Sequence, residues 1–241
     1  MLPLTDAVKP ARLPIVTGLL VAANIAFWLA YQLPQGLEAS VDEVGFRACA
    51  LGGDCREETI AWPLTASVSM FAHGGWAHLA GNMLFLLAFG VRVEDRLGRL
   101  RYLGLYLVAG YAATALQAAV ELAWTSEDYQ NLPGIGASGA ISGVLGAYLV
   151  LFPFSRVVTI LLPVFFLRVP ALALLAVWFA LQALEGTYGL AHPEEEFAGI
   201  AFFAHVGGFL AGAAVATALA PESWLRALFR ARSLPEAPRA G

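Results

Sequence analysis

The chain has 241 residues, of which 59% are apolar and 13% charged, with a net charge of −4 and a mean hydropathy of +0.69. Soluble domains average about half apolar and a quarter charged residues, so a water-soluble single domain is excluded and a polytopic membrane protein is indicated. The acidic balance also excludes a nucleic-acid-binding face as an organising feature.

Six apolar runs of near-bilayer length follow one another, at 15–33, 71–91, 102–124, 138–152, 169–184 and 199–219. The predicted fold class is all-α, a six-transmembrane-helix bundle occupying 15–219, with an outer loop at 34–70. Segments 1–14 and 220–241 flank it. Lys9 and Arg12 precede the first run, and its length reads as a retained anchor rather than a cleaved signal. Arg92, Arg96, Arg99 and Arg101 separate the second and third runs, Arg156 and Arg168 the fourth and fifth, and Arg226, Arg230, Arg232 and Arg239 follow the last. The remaining Arg47 and Arg56 share the first outer loop with Glu38, Asp42, Glu43, Asp54, Glu57 and Glu58. The positive-inside rule therefore makes both termini cytoplasmic. Glu127, Asp128 and Glu194 to Glu196 mark the other outer loops, and the tail after Pro221 reads as a short interfacial helix with a disordered end. Cys49 and Cys55 would close a small disulfide ring in an oxidising compartment. Two cysteines are too few for a metal site.

Depth follows from the rise per residue. Ser138 lies fifteen residues before Pro153, about 22 Å up from the inner end of its run in a core of about 30 Å. His205, six residues inside its own run, lies about 9 Å below the outer surface, and His78 about 10 Å below it. Three polar side chains from three runs thus converge on one level. The stretch 131–136, Asn-Leu-Pro-Gly-Ile-Gly, is too rich in Pro and Gly for a helix, so a helix is expected to start at Ser138. Non-helical backbone at that depth requires surrounding protein or a water-filled cavity.

Gly139, Gly143 and Gly146 in the fourth run, and Gly208 and Gly212 in the sixth, have the small-xxx-small spacing that lets helices pack closely. Close approach would bring the His205 imidazole to the Ser138 hydroxyl, the arrangement that activates a weak nucleophile. His78 and Asn82, four apart, share a helical face and offer donors for an oxyanion. His73, five residues before His78, points away from that face on a continuous helix and reads as structural. The H-E-x-x-H zinc pattern is absent, and Ala140 takes the last position of a G-x-S-x-G elbow.

At these residues the chain resembles the rhomboid intramembrane serine proteases of the six-helix bacterial type. The matching elements are His-Gly-Gly-Trp-Ala-His-Leu-Ala-Gly-Asn-Met at 73–83, Glu94 to Arg101 with Gly98, Gly-Ala-Ser-Gly-Ala-Ile-Ser-Gly at 136–143 and Ala-His-Val-Gly-Gly-Phe-Leu-Ala-Gly at 204–212. The resemblance implies a catalytic dyad of Ser138 and His205 without a third acid, and oxyanion stabilisation by His78 and Asn82. It further implies no metal and no cofactor, with transmembrane segments of other proteins as substrates, cleaved near the outer face through an acyl-enzyme. The partners are then the lipid bilayer and membrane-protein substrates, not nucleic acid, and the location is a bacterial inner membrane with the site opening to the extracytoplasmic side. The sixth run carries no carboxylate, which fits a dyad. Two positions depart from the family pattern. Trp62 is followed by Pro63 where an arginine is common, and Ser142 stands four residues after Ser138 where some members carry an aromatic ring. Packing from Phe202 and Phe203, or from Tyr148, is then expected to orient His205. Two rival readings are weaker: a non-catalytic client-binding relative would have lost Ser138 or His205, and a small transporter would carry repeated halves with midplane charges.

Overall fold

The structure is a computed structural model and describes residues 2–6, 10–53, 55, 61–161, 165–192 and 201–220. From the N-terminus run β1 (Leu2–Asp6), α1 (Ile15–Gln35), α2 (Leu37–Val44), α3 (Cys49–Gly52), α4 (Trp62–Val68), α5 (Trp76–Leu97), α6 (Arg99–Trp124), α7 (Glu127–Gln130), α8 (Ser138–Leu151), β2 (Arg156–Leu161), β3 (Phe165–Pro170), α9 (Ala171–Ala191) and α10 (Phe202–Leu219). Five of these, α1, α5, α6, α9 and α10, are long and apolar enough to cross a membrane. The chain is a helical, polytopic integral membrane protein, as the composition predicts. Glu194 to Glu196, the start of the sixth run at 199–200, and the basic tail from 221 onward lie outside the described residues, as do Asp54, Arg56, Glu57 and Glu58.

α8 is the centre of the bundle. Its residues from Gly139 to Tyr148 are buried without a break, and Leu151 closes its C-terminal end. A helix apolar on every face has no solvent side to present, so the other helices surround it. At 14 residues it is about 21 Å long, short of the roughly 30 Å hydrocarbon thickness. Its N-terminal serine is therefore sunk within the fold. The contact with α10 is set by glycine: a Cβ on Gly208 would lie 2.0 Å from the Gly139 carbonyl oxygen, and one on Gly212 would lie 1.9 Å from that of Gly143.

At the opposite end of the bundle Gly98, with φ 81°, turns the chain directly from α5 into α6, a conformation that suits glycine. Beside this turn Glu94, only 3% exposed, receives Val16 N–H at 2.9 Å, Thr17 N–H at 2.8 Å and the Thr17 hydroxyl at 2.8 Å. The first turn of α1 begins after Pro14, which offers no side-chain cap. The carboxylate of α5 supplies the missing acceptors and a negative charge at a helix N-terminus. That explains a buried acid in so apolar a chain.

Several boundaries and one element differ from the expectation; α5 runs on to Leu97 rather than 91, and α9 to Ala191 rather than 184. The second helix starts at Trp76 rather than 71, because the Gly74-Gly75 pair, with Gly75 at φ 147°, interrupts it. The fifth starts at Ala171, since Pro170 holds the residue before it in extended backbone. The added element is a small antiparallel sheet in the order β1-β2-β3, with Leu2 opposite Ile160 and Arg156 opposite Pro170. It lies between α8 and α9 in the chain and recruits the N-terminal segment.

Candidate active site

The segment leading into Ser138 is held by the loop that follows α1. Phe46 and Gly134 exchange both backbone hydrogen bonds, at 2.9 and 2.7 Å, and Gly136 N–H donates to the Ser69 carbonyl at 2.9 Å. Arg47, 8% exposed, donates to the Asn131 carbonyl at 2.9 Å and to the Asp42 carbonyl at 2.9 Å, and pairs with the Asp42 carboxylate. The disulfide between Cys49 and Cys55 closes a ring just beyond it. Irregular backbone within the bundle thus has protein partners, as burial requires. A loop without a legible fold is the brace for the serine.

Ser138 opens α8, and His205 sits in the first turn of α10. Because glycine lets these helices touch, Ser138 Oγ lies 2.8 Å from His205 Nε2. The other ring nitrogen, Nδ1, is hydrogen-bonded to Gln182 Oε1 of α9. Trp178, one turn earlier on α9, tilts its ring against the imidazole with centroids 6.0 Å apart. Orientation of His205 therefore comes from α9, not from the residues expected. Phe202 and Phe203 pack at Gly186, and Tyr148 lies edge-on to Phe89, 5.0 Å away. Ser142, in the place of an aromatic ring, turns back to bond the Ser138 carbonyl at 2.6 Å. The α10 backbone is also tied to α6: Gln117 Oε1 accepts Ala204 N–H at 3.0 Å, while Gln117 Nε2 donates to Glu121 at 2.8 Å.

His78 and Asn82 face the serine across a cleft of about 280 Å³ whose walls include Gly81, Ser142 and Trp178. Gly74 N–H donates to His78 Nδ1 at 3.2 Å, which makes Nδ1 the acceptor and puts the proton of a neutral ring on Nε2. That Nε2 lies 3.2 Å from where a Cβ on Gly136 would be, and Ser138 Oγ lies 3.5 Å from the same point. Asn82 Nδ2 is buried and makes no hydrogen bond among the described residues, an unusual state for an amide donor. His73 does not point away: ahead of the helix, it packs edge-on against His78 with centroids 5.2 Å apart, its backbone clamped by Gln32 through bonds of 2.8 and 3.0 Å. On the far side of Ser138 a smaller cavity of about 70 Å³ is lined by Thr114, Gln117 and Glu121.

All four sequence-derived site residues thus converge, and sequence reasoning missed Gln182, Trp178 and Gln117. The available signal is polarity: Gln182 and Glu185 stand three apart in a mostly apolar helix. Gly136, at φ 125°, holds a backbone conformation that side-chain-bearing residues rarely adopt, and a Cβ there would lie 3.1 Å from the His78 ring. Gly136→Ala is expected to destabilise the protein by about 1–3 kcal/mol through its backbone alone and to push the His78 ring aside. Thermal unfolding in detergent measures this, with Gly81→Ala, whose Cβ meets nothing within 4 Å, expected to leave the midpoint unchanged or higher.

Comparison with known proteins bears on this geometry. The family model described as Rhomboid domain matches residues 61–222. RHOMBOID-like protein 5 of Arabidopsis thaliana is 32% identical over 93 residues, covering 39% of this chain and 28% of that protein. Rhomboid protein 1, mitochondrial, of Saccharomyces cerevisiae is 33% identical over 103 residues, 40% of this chain and 27% of the relative. Rhomboid protease AarA of Providencia stuartii is 32% identical over 87 residues, 33% and 31% of the two chains. The chain spans about a quarter to a third of the length of these relatives. With the family match running from just before α4 to just past α10, the chain belongs to the rhomboid family.

Proposed function

We propose that the chain is an intramembrane serine endopeptidase that cleaves transmembrane segments of other membrane proteins near the outer face of the bilayer. The observation that carries this reading is the 2.8 Å hydrogen bond between Ser138 Oγ and His205 Nε2 inside a membrane-spanning bundle. A protease among its relatives, that of Providencia stuartii, supports it. Ser138 Oγ attacks the scissile carbonyl carbon while His205 Nε2 takes the hydroxyl proton, then returns it to the leaving amine. Water, deprotonated by the same nitrogen, opens the acyl-enzyme and frees Ser138. The negative oxygen of each tetrahedral intermediate meets His78 Nε2–H, Asn82 Nδ2–H and Ser138 N–H. The last belongs to a helix's first turn, where no intrahelical acceptor exists. The unpaired Asn82 amide has in this oxyanion its natural partner.

Within a helix each backbone carbonyl is hydrogen-bonded and shielded by the next turn, so Ser138 Oγ cannot approach the scissile carbon of an intact helix. A substrate helix must unwind first, so segments with small or helix-breaking residues are favoured. The membrane domain is assigned to 15–219, with both termini cytoplasmic in a bacterial inner membrane and the cleft opening outward, on the strength of the basic inner loops. Purified, reconstituted protein treated with a fluorophosphonate is expected to lose cleavage of a transmembrane substrate in step with modification of Ser138, read by mass spectrometry. Cleavage that persists on fully modified protein refutes the reading.

A further inference from the structure

α9 carries Gln182 and Glu185 on one face, both half-buried in a mostly apolar helix. Gln182 Oε1 meets His205 Nδ1, and Gln182 Nε2 reaches Glu185 Oε2 at 3.5 Å. The line therefore runs Ser138, His205, Gln182, Glu185, across three helices. We propose that Gln182 is the positioning residue that holds His205 in its base-competent tautomer, and that Glu185 sets the direction of the Gln182 amide. The inference rests on the reading of Ser138 and His205 as nucleophile and base.

The directions are forced by donor and acceptor chemistry. A carboxylate oxygen accepts hydrogen bonds, so Glu185 Oε2 draws the NH₂ end of Gln182 and turns the carbonyl oxygen to His205. That oxygen also only accepts, so the proton of the neutral ring resides on Nδ1. Nε2 is left with a lone pair facing the serine hydroxyl, which makes it a base. With the amide reversed, its NH₂ would face Nδ1 and the ring proton would move to Nε2. His205 would then donate to Ser138 rather than take its proton. Of the other ionisable groups at the site among the described residues, His78 from α5 has its Nδ1 occupied by Gly74 N–H, and Glu121 of α6 is engaged by Gln117. Neither is hydrogen-bonded to Nδ1. Burial alone does not explain Gln182, since an apolar side chain of equal length would fill the same space.

The test uses full-length protein reconstituted in vesicles with a transmembrane substrate. Nitrogen NMR of ring-labelled wild type, with the His205 signal assigned by its loss in His205→Asn, is expected to show the proton on Nδ1. Gln182→Met, similar in length but without hydrogen-bonding capacity, is expected to lower kcat by about tenfold or more with KM nearly unchanged and to mix the two tautomers. Gln182→Glu, which keeps an acceptor, recovers most of that loss. A wild-type His205 protonated on Nε2 overturns the inference without any variant, and so does Gln182→Met with wild-type kcat and tautomer. Cleavage by Ser138→Ala would instead sink the underlying reading and leave the tautomer measurement standing.

Discussion

Ser138→Ala is expected to reduce cleavage of a reconstituted transmembrane substrate by about 10⁴-fold or more, as removal of a serine nucleophile does elsewhere, while the unfolding midpoint hardly changes. Two features separate activity from stability here. The hydroxyl has His205 Nε2 as its hydrogen-bond partner, and its loss unpairs that half-buried ring nitrogen while leaving the apolar packing of α8 untouched. The packing that anchors α8 lies further along, from Gly139 to Leu151. Alanine keeps the backbone N–H proposed to meet the oxyanion and the shape of the cleft, so substrate is expected to bind still. A fall confined to kcat, with the fold intact by thermal melt, is the expected signature. Cleavage within tenfold of wild type would exclude Ser138 as nucleophile.

Gly212→Ala is expected to destabilise the bundle by about 3 kcal/mol or more, the upper range for overpacking a tight contact, and to abolish activity as well. The added methyl would sit 1.9 Å from the Gly143 carbonyl oxygen and 2.5 Å from its Cα. Both obstacles are backbone, so no rotamer change relieves them and α10 must move off α8. His205 rides on α10 and Ser138 on α8, so the separation that costs stability also lengthens the 2.8 Å hydrogen bond between them. Gly18→Ala is the comparison: its Cβ would meet nothing within 4 Å, and alanine is the better helix former by about 1 kcal/mol. Unfolding in detergent and the cleavage rate should fall together for Gly212→Ala and not for Gly18→Ala. Wild-type stability in Gly212→Ala would mean the helices are not packed as closely as described.

Counting residues down apolar runs put Ser138, His205 and His78 at one depth, and the coordinates bring them together. Counting succeeds for depth because the rise per residue is a property of the backbone alone. It is blind to rotation about the helix axis, which is why Gln182 was not assigned to His205 although its height was equally accessible. The direction of His73, though not its structural role, differs for another reason: helical periodicity does not extend through Gly74 and Gly75, where the backbone leaves the helix. The brace around Gly134 was illegible because Phe46 and Arg47 are more than eighty residues away in the chain. The sheet escaped notice because valine- and phenylalanine-rich runs beside a membrane resemble span ends until their pairing partners are known.

The shortness and full enclosure of α8 carry a consequence for how the protein responds to its lipids. Changes in bilayer thickness act on helices that touch acyl chains, which tilt or stretch the surrounding leaflet to match. α8 has no such contact along its buried length, so a thicker or thinner membrane reaches Ser138 only through its neighbours. The height of the serine is thus registered against α10 by glycine contacts rather than against the headgroups. Hydrophobic mismatch alters the elevation of an incoming helix before it alters that of the nucleophile.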